Sequence, residues 1–171
     1  MNDQFARAMA ALTTGIYVLT VSDAAGSHGM SSSWVTQVSG EPPLIMAAVG
    51  RSNFSRELIQ RSGTFGLNVV GKRGKELEDY FYSEPARRRY NLDAIAHQPS
   101  PRLRVPWLER AMVAIEARVV ASHEAGDHTL FVGEMVGVDL ASNDRPLTSL
   151  DLDYVYIGGR QAVARDRSGW D

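Results

Sequence analysis

Asp127 and His128 place an acid beside an imidazole at the start of an apolar run. The stretch 125–134 reads Ala-Gly-Asp-His-Thr-Leu-Phe-Val-Gly-Glu, which is typical of a tight turn that leads directly into a β-strand. An imidazole there can hydrogen-bond a nucleotide in its neutral or charged form, and the neighbouring carboxylate can fix its tautomer. The aspartate can instead simply close the turn. The pair alone therefore leaves a chemical and a structural role open.

Three consecutive hydroxyls form a second candidate site. Ser31, Ser32 and Ser33 follow Gly29-Met30 and precede Trp34. Serine hydroxyls and close backbone amides can donate hydrogen bonds to a phosphate or a ribityl chain. A polar edge strand or a turn would have the same composition, so the segment alone allows both interpretations.

A third candidate runs from Ala47-Ala48-Val49-Gly50-Arg51-Ser52 through Asn53 to Phe54-Ser55. Its small residues would let a planar ring approach the backbone. Gly50 leads toward a predicted helix, whose first amides are unpaired and electropositive. Arg51 could add a bidentate contact to a phosphate. The alternative is a helix N-cap at Ser52 beside a solvated arginine.

The run Arg87-Arg88-Arg89-Tyr90 is the strongest local charge cluster. Such a triplet usually forms a solvated face, although it could also meet a dinucleotide diphosphate or a 2′-phosphate. Nearby Phe81, Tyr82 and Tyr90 could stack on a ring, but this spacing is more typical of core or interface residues.

The composition limits what chemistry the chain can perform. With 171 residues it has the size of one domain, and its net charge of −2 gives no general attraction to nucleic acid or anionic membranes. It has no cysteine, so thiolate nucleophiles, disulfides and cysteine metal sites are excluded and redox chemistry needs a cofactor. The sequence contains neither a Rossmann glycine signature nor a Walker loop, and its four histidines lack metal-ligand spacing. The uncharged run 8–22 has the wrong flanks for a signal peptide and is short for a membrane span.

Hydrophobic periodicity predicts many short strands with a few helices between them. Such a balance favours a barrel over a doubly wound parallel sheet. The predicted helices cover 2–12 or 3–12, 53–61 and 75–82. The predicted strands cover 16–21, an extended segment at 28–39, then 44–49, 65–70, a long hairpin of 112–122 with 128–140, and 154–157. A long, proline-containing connection is expected at 91–110.

These motifs, in this order and spacing, resemble the flavin reductase-like family of split-barrel FMN-binding proteins. The resemblance extends from Phe5 to Arg160. It also includes Thr13-Thr14-Gly15, the Glu41-Pro42-Pro43-Leu44-Ile45 strand entry, the run Ser-Gly-Thr-Phe-Gly-Leu-Asn-Val at 62–69, and Gly158-Gly159-Arg160. Two stretches depart from the family pattern. Arg51-Ser52 followed by Phe54-Ser55 keeps only part of a common pattern, a basic residue followed by Ser-x-Thr. The stretch 99–108 replaces a Gly-x-Pro-x-Leu stretch near the expected nicotinamide pocket.

The resemblance implies a mainly β fold with flanking helices, of the FMN-binding split β-barrel type. It implies one domain over 1–160 with a polar tail at 161–171, a homodimer and a cytoplasmic location. The implied activity is hydride transfer from NADH or NADPH to FMN, or to FAD, supplying reduced flavin to a separate monooxygenase. A non-catalytic FMN carrier or accessory flavoprotein, and a barrel that has lost its cofactor, are the alternatives.

The resemblance also assigns site residues. His128 is expected to touch the nicotinamide or the flavin edge, as the residue closest to catalysis. The expected cofactor contacts are Met30, Ser31, Ser32, Ser33, Ala47, Ala48, Val49, Gly50, Arg51, Ser52, Ser55, Asp127 and His128.

Overall fold

The computed structural model describes residues 3–158 and 162–164. Its helices are α1 (Asp3–Ala10), α2 (Phe54–Ser62) and α3 (Lys75–Phe81). Its strands are β1 (Tyr17–Asp23), β2 (Gly26–Ser32), β3 (Val35–Ser39), β4 (Leu44–Gly50), β5 (Thr64–Val69), β6 (His97–Pro99), β7 (Pro106–Leu108), β8 (Val113–Ala125), β9 (His128–Asp139), β10 (Tyr154–Tyr156) and β11 (Ala162–Ala164). The prediction of a mainly β chain with flanking helices is confirmed.

Seven strands form one antiparallel sheet in the order β2-β1-β5-β8-β9-β4-β3. Its centre is the long β8–β9 hairpin, which turns at Gly126 with a φ of 60°. Glycine adopts this left-handed conformation without steric cost, which explains the sharp reversal before His128. The pairs β6–β7 and β10–β11 form two small additional sheets.

The sheet is strongly curved because its two outermost strands are neighbours in the chain. Only Ser33 and Trp34 separate the end of β2 from the start of β3. Three Cα steps cover at most about 11 Å, so the edges must approach each other at this corner. No strand ladder joins β2 to β3 within the described ranges, and the sheet is therefore not closed.

The hydrophobic core occupies both sides of β1. Leu19 and Val21 pack into a cluster with Phe65 and Phe131 inside the curved sheet. Val18, on the opposite face, joins a second cluster with the buried side chains near α3. This alternation follows from the two-residue period of a β-strand, and it makes β1 a strand that is buried on both faces.

Helix α2 covers one end of the inner cluster with Leu58 and Ile59, each 1% exposed. It ends as predicted at Gly63, whose φ of 68° suits glycine and whose N–H donates to the Ile59 carbonyl at 2.8 Å. The prediction of Ser52 as the N-cap was wrong, because Asn53 occupies that position. The Asn53 N–H donates to the Gly50 carbonyl at 2.9 Å, and this turn carries the chain past Ser52 before the helix begins.

Three other predicted elements differ from the structure. The extended segment 28–39 is two strands, since the corner at Ser33 and Trp34 sends its halves to opposite sheet edges. The connection 91–110 contains the β6–β7 pair, and β7 is buried against the sheet. Helix α1 ends at Ala10 instead of Leu12 and buries none of its residues.

Some predictions fall on residues outside the described part of the chain. These are the capping alternative at Asn2, the Gly159-Arg160 end of the last motif, and the tail 161–171 apart from 162–164. The division into a domain at 1–160 and a tail stays a prediction. Among the described helices, none has the length and apolar character needed to cross a membrane.

Candidate functional site

A cavity of about 760 Å³ opens beside the corner where β2 meets β3. Its walls come from β2, the end of β4, the start of α2, helix α3, the loop at 87–89, the start of β9 and the strand β10. Small-molecule sites in proteins typically have volumes of about 300–1,000 Å³. The cavity therefore has the size of a nucleotide-like ligand.

The serine segment forms one wall of this cavity. Met30, Ser31, Ser32 and Ser33 all line it. Within the described ranges, strand β2 pairs with β1 alone, so its other edge carries no strand there. Ser32 is 6% exposed, so its hydroxyl is nearly shielded from bulk water. The structure thus brings together the three hydroxyls that the sequence singled out.

Strand β4 alternates between the cavity and the core. Ala48 and Gly50 line the cavity, whereas Ala47 and Val49 are fully buried in the inner cluster. A β-strand presents successive side chains to opposite faces. The side chains of Ala47 and Val49 therefore point away from the cavity, although both were predicted to contact the cofactor.

The turn after β4 lies beside the cavity. Arg51 is exposed, with its Nε 3.0 Å from a Glu124 carboxylate oxygen and its Nη1 3.2 Å from the Gly126 carbonyl oxygen. Ser52 is exposed in the same turn, and the Ser55 hydroxyl is buried with no hydrogen-bond partner in the described part of the chain. The cavity wall uses Asn53 and Phe54 instead.

His128 lies at the wall of the cavity and is 4% exposed. Its Nδ1 is 2.6 Å from a carboxylate oxygen of Asp127, and this hydrogen bond holds the pKa of Asp127 below its usual range. A carboxylate only accepts hydrogen bonds, so Nδ1 carries a proton. In the neutral ring, Nε2 is then an acceptor, and the Tyr156 hydroxyl lies 3.4 Å from it.

An aromatic side chain covers the His128 ring. The Trp34 ring centroid is 4.7 Å from that of His128, with 36° between the planes, and it is 5.4 Å from the ring of Tyr156. All three rings line the cavity, while Asp127 lies outside it with an exposed carboxylate. Asp127 is thus placed to orient the imidazole from the solvent side.

Several side chains that line the cavity were missed at the sequence level, among them Glu78, Tyr154 and His28. Glu78 is buried in the wall, and Ser31 and Tyr154 donate hydrogen bonds to its two carboxylate oxygens. His28 is 6% exposed, and neither of its ring nitrogens makes a hydrogen bond within the described residues. Burial lowers the pKa of His28, while the nearby Arg89 backbone has a smaller opposing effect. Helix α3 also contains Glu76 and Asp79, so no local signal distinguished Glu78 as the buried carboxyl group.

The arginine run borders the cavity and is exposed. Arg87 pairs with Glu84 at 2.6 Å, and Arg88 makes a two-pronged contact with Asp93 at 2.9 and 3.2 Å. Arg89 instead lies over the Phe54 ring, with its Cζ 4.8 Å from the ring centroid. The run is therefore a solvated face that also forms part of the cavity rim, and its contact with a nucleotide phosphate stays a prediction.

The lining suits a flavin nucleotide in two respects. Ser31, Ser32 and Ser33 supply hydroxyls at one wall. A Cβ added to Gly50 would have only one neighbour, at 4.0 Å, which leaves space for a flat ring.

The fold and cavity agree with the comparison to protein families. The model of the flavin reductase like domain matches residues 9–161. The chain belongs to this family, and the resemblance inferred from the sequence motifs is confirmed.

Individual relatives span most of the chain. An NADH-dependent flavin reductase of a Rhodococcus species is 31% identical over 135 residues, which is 75% of this chain and 72% of the relative. The reductase component of an FADH(2)-dependent resorcinol hydroxylase from Rhizobium sp. strain MTP-10005 is 33% identical over 129 residues, or 74% and 70% of the two chains. The solved structure of the styrene monooxygenase flavin reductase (SMOB) of Pseudomonas putida S12 matches with a TM-score of 0.72 at 27% sequence identity. The match covers 84% of this chain and 90% of the SMOB chain.

Proposed function

We propose that the protein is an NAD(P)H-dependent flavin reductase that supplies reduced flavin to a separate monooxygenase. The observation that carries this proposal is the single cavity wall that joins Ser31, Ser32 and Ser33 to His128 in a chain of this family. The names of the relatives support it, because they include NADH-dependent flavin reductases and the reductase component of a hydroxylase.

The residues of the chain would bind, orient and shield the flavin. Met30 and the three serines would hold its polar parts, while Ala48 and Gly50 leave room for the ring system. When bound, the flavin accepts a hydride from the nicotinamide, and the cofactors carry this chemistry. His128 would orient the reacting edge with Nε2, since Asp127 occupies Nδ1. Contacts from Ala47, Val49, Arg51, Ser52, Ser55 and Asp127 stay predictions.

FMN is the proposed flavin, with FAD as the alternative, and NADH or NADPH is the proposed reductant. The curved sheet supports a split β-barrel, since its edge strands meet at Ser33 and Trp34. A homodimer is proposed because the chain belongs to the flavin reductase like family. A cytoplasmic location is also proposed from membership in this family.

The flavin-carrier alternative depended on the proline-containing connection closing the nicotinamide pocket. In the structure, β7 is buried against the main sheet, where the Pro106 carbonyl accepts a hydrogen bond from Thr20 at 2.6 Å. The residues that line the cavity include none from 99–108. This placement favours the reductase.

An anaerobic titration tests the proposed function. The FMN-loaded protein is mixed with NADH and then with NADPH while the visible flavin absorption is followed. We expect bleaching that is faster than with free FMN, and the faster nucleotide identifies the preferred reductant. Flavin that binds but keeps its colour with both nucleotides would contradict the reductase and support a carrier.

A further inference from the structure

Glu78 is a carboxyl group in the cavity wall that the proposed reaction does not use. Helix α3 buries it to 1% exposure, next to Leu77 of the second hydrophobic cluster. Burying a carboxylate is costly unless it is paired and hydrogen-bonded. Lys75, on the same helix, directs its Nζ to Asp79 at 2.6 Å, and no lysine or arginine within residues 3–158 forms an ion pair with Glu78.

Two hydroxyls from different strands hydrogen-bond the Glu78 carboxylate and so offset the cost of burying it. Ser31 of β2 donates to one carboxylate oxygen, and Tyr154 of β10 donates to the other at 2.9 Å. Burial raises the pKa of Glu78, and the charge of Asp79 adds to this, while the two hydroxyls and Lys75 oppose it. Tyr82 also faces this group, and both burial and the Glu78 charge raise its pKa. The neutral carboxyl therefore persists to a higher pH than in an exposed glutamate.

The protonation state of Glu78 controls what Ser31 can offer to a ligand. A serine hydroxyl has one proton and two lone pairs, and an ionised carboxylate can only accept. When Glu78 is ionised, the Ser31 proton is directed to it and Ser31 presents only lone pairs to the cavity. When Glu78 is protonated, its carboxyl can donate to Ser31, which frees the serine proton for a ligand oxygen or nitrogen.

We propose that Glu78 is a positioning residue for the flavin, whose proton decides whether Ser31 accepts or donates a hydrogen bond in the cavity. This inference rests on the proposed function, because it assumes that the cavity binds a flavin. The protonated form favours binding in two ways, since Ser31 becomes a donor and a negative charge is removed from the neighbourhood of an anionic nucleotide. Flavin affinity therefore falls as Glu78 loses its proton.

The test is an equilibrium titration of the flavin-free protein with FMN and with riboflavin from about pH 5 to about pH 8. We expect the wild-type dissociation constant to rise about three- to tenfold with pH, the equivalent of one hydrogen bond. Glu78→Gln should show a smaller rise and should bind flavin more tightly than the wild type at the high-pH end. Its amide can accept from Tyr154 and donate to Ser31, which reproduces the neutral arrangement.

The comparison between variants isolates Glu78 from other ionisable groups at the cavity. His28 also lines the cavity, and the FMN phosphate titrates near pH 6, but both are the same in wild type and Glu78→Gln. Riboflavin lacks the phosphate, so the pH dependence of its binding should be weaker in Ser31→Ala than in the wild type, even though Glu78 is intact. Ser33→Ala removes a neighbouring hydroxyl of the same wall and should keep the wild-type dependence.

Each outcome has a distinct meaning. An identical pH dependence in wild type and Glu78→Gln overturns the role of Glu78 while leaving flavin binding intact. If Glu78→Gln does not fold, Ser31→Ala with riboflavin decides, and a wild-type pH dependence in that variant is the contrary result. Failure of the wild-type protein to bind FMN, FAD or riboflavin overturns both this inference and the proposed function.

Discussion

His128 owes its orientation to groups on both sides of its ring. An Asp127 carboxylate oxygen lies 2.6 Å from Nδ1 and fixes the proton there. Trp34 covers the ring, and the Tyr156 hydroxyl lies 3.4 Å from Nε2. The register of the sheet adds a further constraint, because His128 pairs with Gly50 across β4 and β9. A glycine at that position leaves the imidazole room to face the cavity.

Replacing His128 with alanine should slow flavin reduction more than it weakens flavin binding. We expect a five- to tenfold lower rate, about the effect of one lost orienting hydrogen bond, since most of the flavin wall is unchanged. Stopped-flow reduction under anaerobic conditions and an FMN titration separate the two quantities. His123→Ala, on an exposed part of β8, is the control. An unchanged reduction rate would assign His128 a structural role only.

Ser32→Trp should abolish saturable FMN binding. Ser32 lines the cavity and is only 6% exposed, so a large ring at this position would fill the space that the flavin needs. Isothermal titration with FMN measures this directly. Ser142→Trp is the matched control, since Ser142 is exposed and does not line the cavity. FMN affinity equal to that of the wild type would show that the serine wall is not the flavin site.

The β8–β9 hairpin depends on close packing between the faces of the curved sheet. A Cβ added at Gly133 of β9 would lie 2.7 Å from the Phe65 ring and 3.0 Å from the Ala117 Cβ. Phe65 is fully buried in the inner cluster and cannot move without displacing its neighbours. A glycine is therefore required where β9 passes this ring.

Gly133→Ala should lower the free energy of unfolding by about 1–3 kcal/mol, the usual cost of overpacking a core. Urea unfolding followed by circular dichroism measures the change. Gly40→Ala is the comparison, because a Cβ at Gly40 meets nothing within 4 Å. Equal stabilities of the two variants would mean that the core near Phe65 adapts more easily than its packing indicates.

Sequence patterns predicted most elements because the relevant signals are local. Gly63 ends α2 as expected, and the Gly126 turn joins the long hairpin strands close to their predicted limits. The corner at Ser33 and Trp34 was missed because the segments on both sides of it have sequences typical of β-strands. Only the strand order shows that these two strands lie at opposite edges of the sheet.

The cavity was predictable only in part, because sequence motifs are local and contacts between distant segments are not. The serines and His128 come from short motifs, whereas the contact between Ser31 and Glu78 joins residues that are far apart in the sequence. Ala47 and Ala48 are chemically identical, so composition could not show which of them faces the core. That choice follows from how β4 pairs with β9 and where the inner cluster lies.

At the scale of the whole molecule, two carboxyl groups respond to pH in opposite directions, one held by backbone N–H groups and one buried in an apolar wall. The backbone N–H of Arg73 and that of Arg145 donate to Asp144, and they hold the pKa of this carboxyl below its ordinary value. Its contribution to stability is present above its unfolded-state pKa and is lost as the pH falls through the lower folded value. Glu78 behaves oppositely, because its raised pKa makes the folded state less stable as the pH rises through it.

The protein should therefore lose stability in acid, and Asp144→Asn should lose less. We expect the wild-type free energy of unfolding to fall as the pH drops below the ordinary aspartate pKa of about 3.9. Urea unfolding from neutral pH to about pH 3 measures both slopes. A variant slope as steep as that of the wild type would show that Asp144 contributes nothing to acid sensitivity.

The position of Trp34 gives the molecule an optical probe of its own cavity. The Trp34 indole lies against the His128 ring, while Trp107 is 7% exposed in β7 and does not line the cavity. Indole emission overlaps flavin absorption, so a flavin bound beside Trp34 would take up its excitation energy by resonance transfer. Ultraviolet-excited emission should then report flavin arrival and departure in real time without any label, and Trp34→Phe should reduce the change in emission.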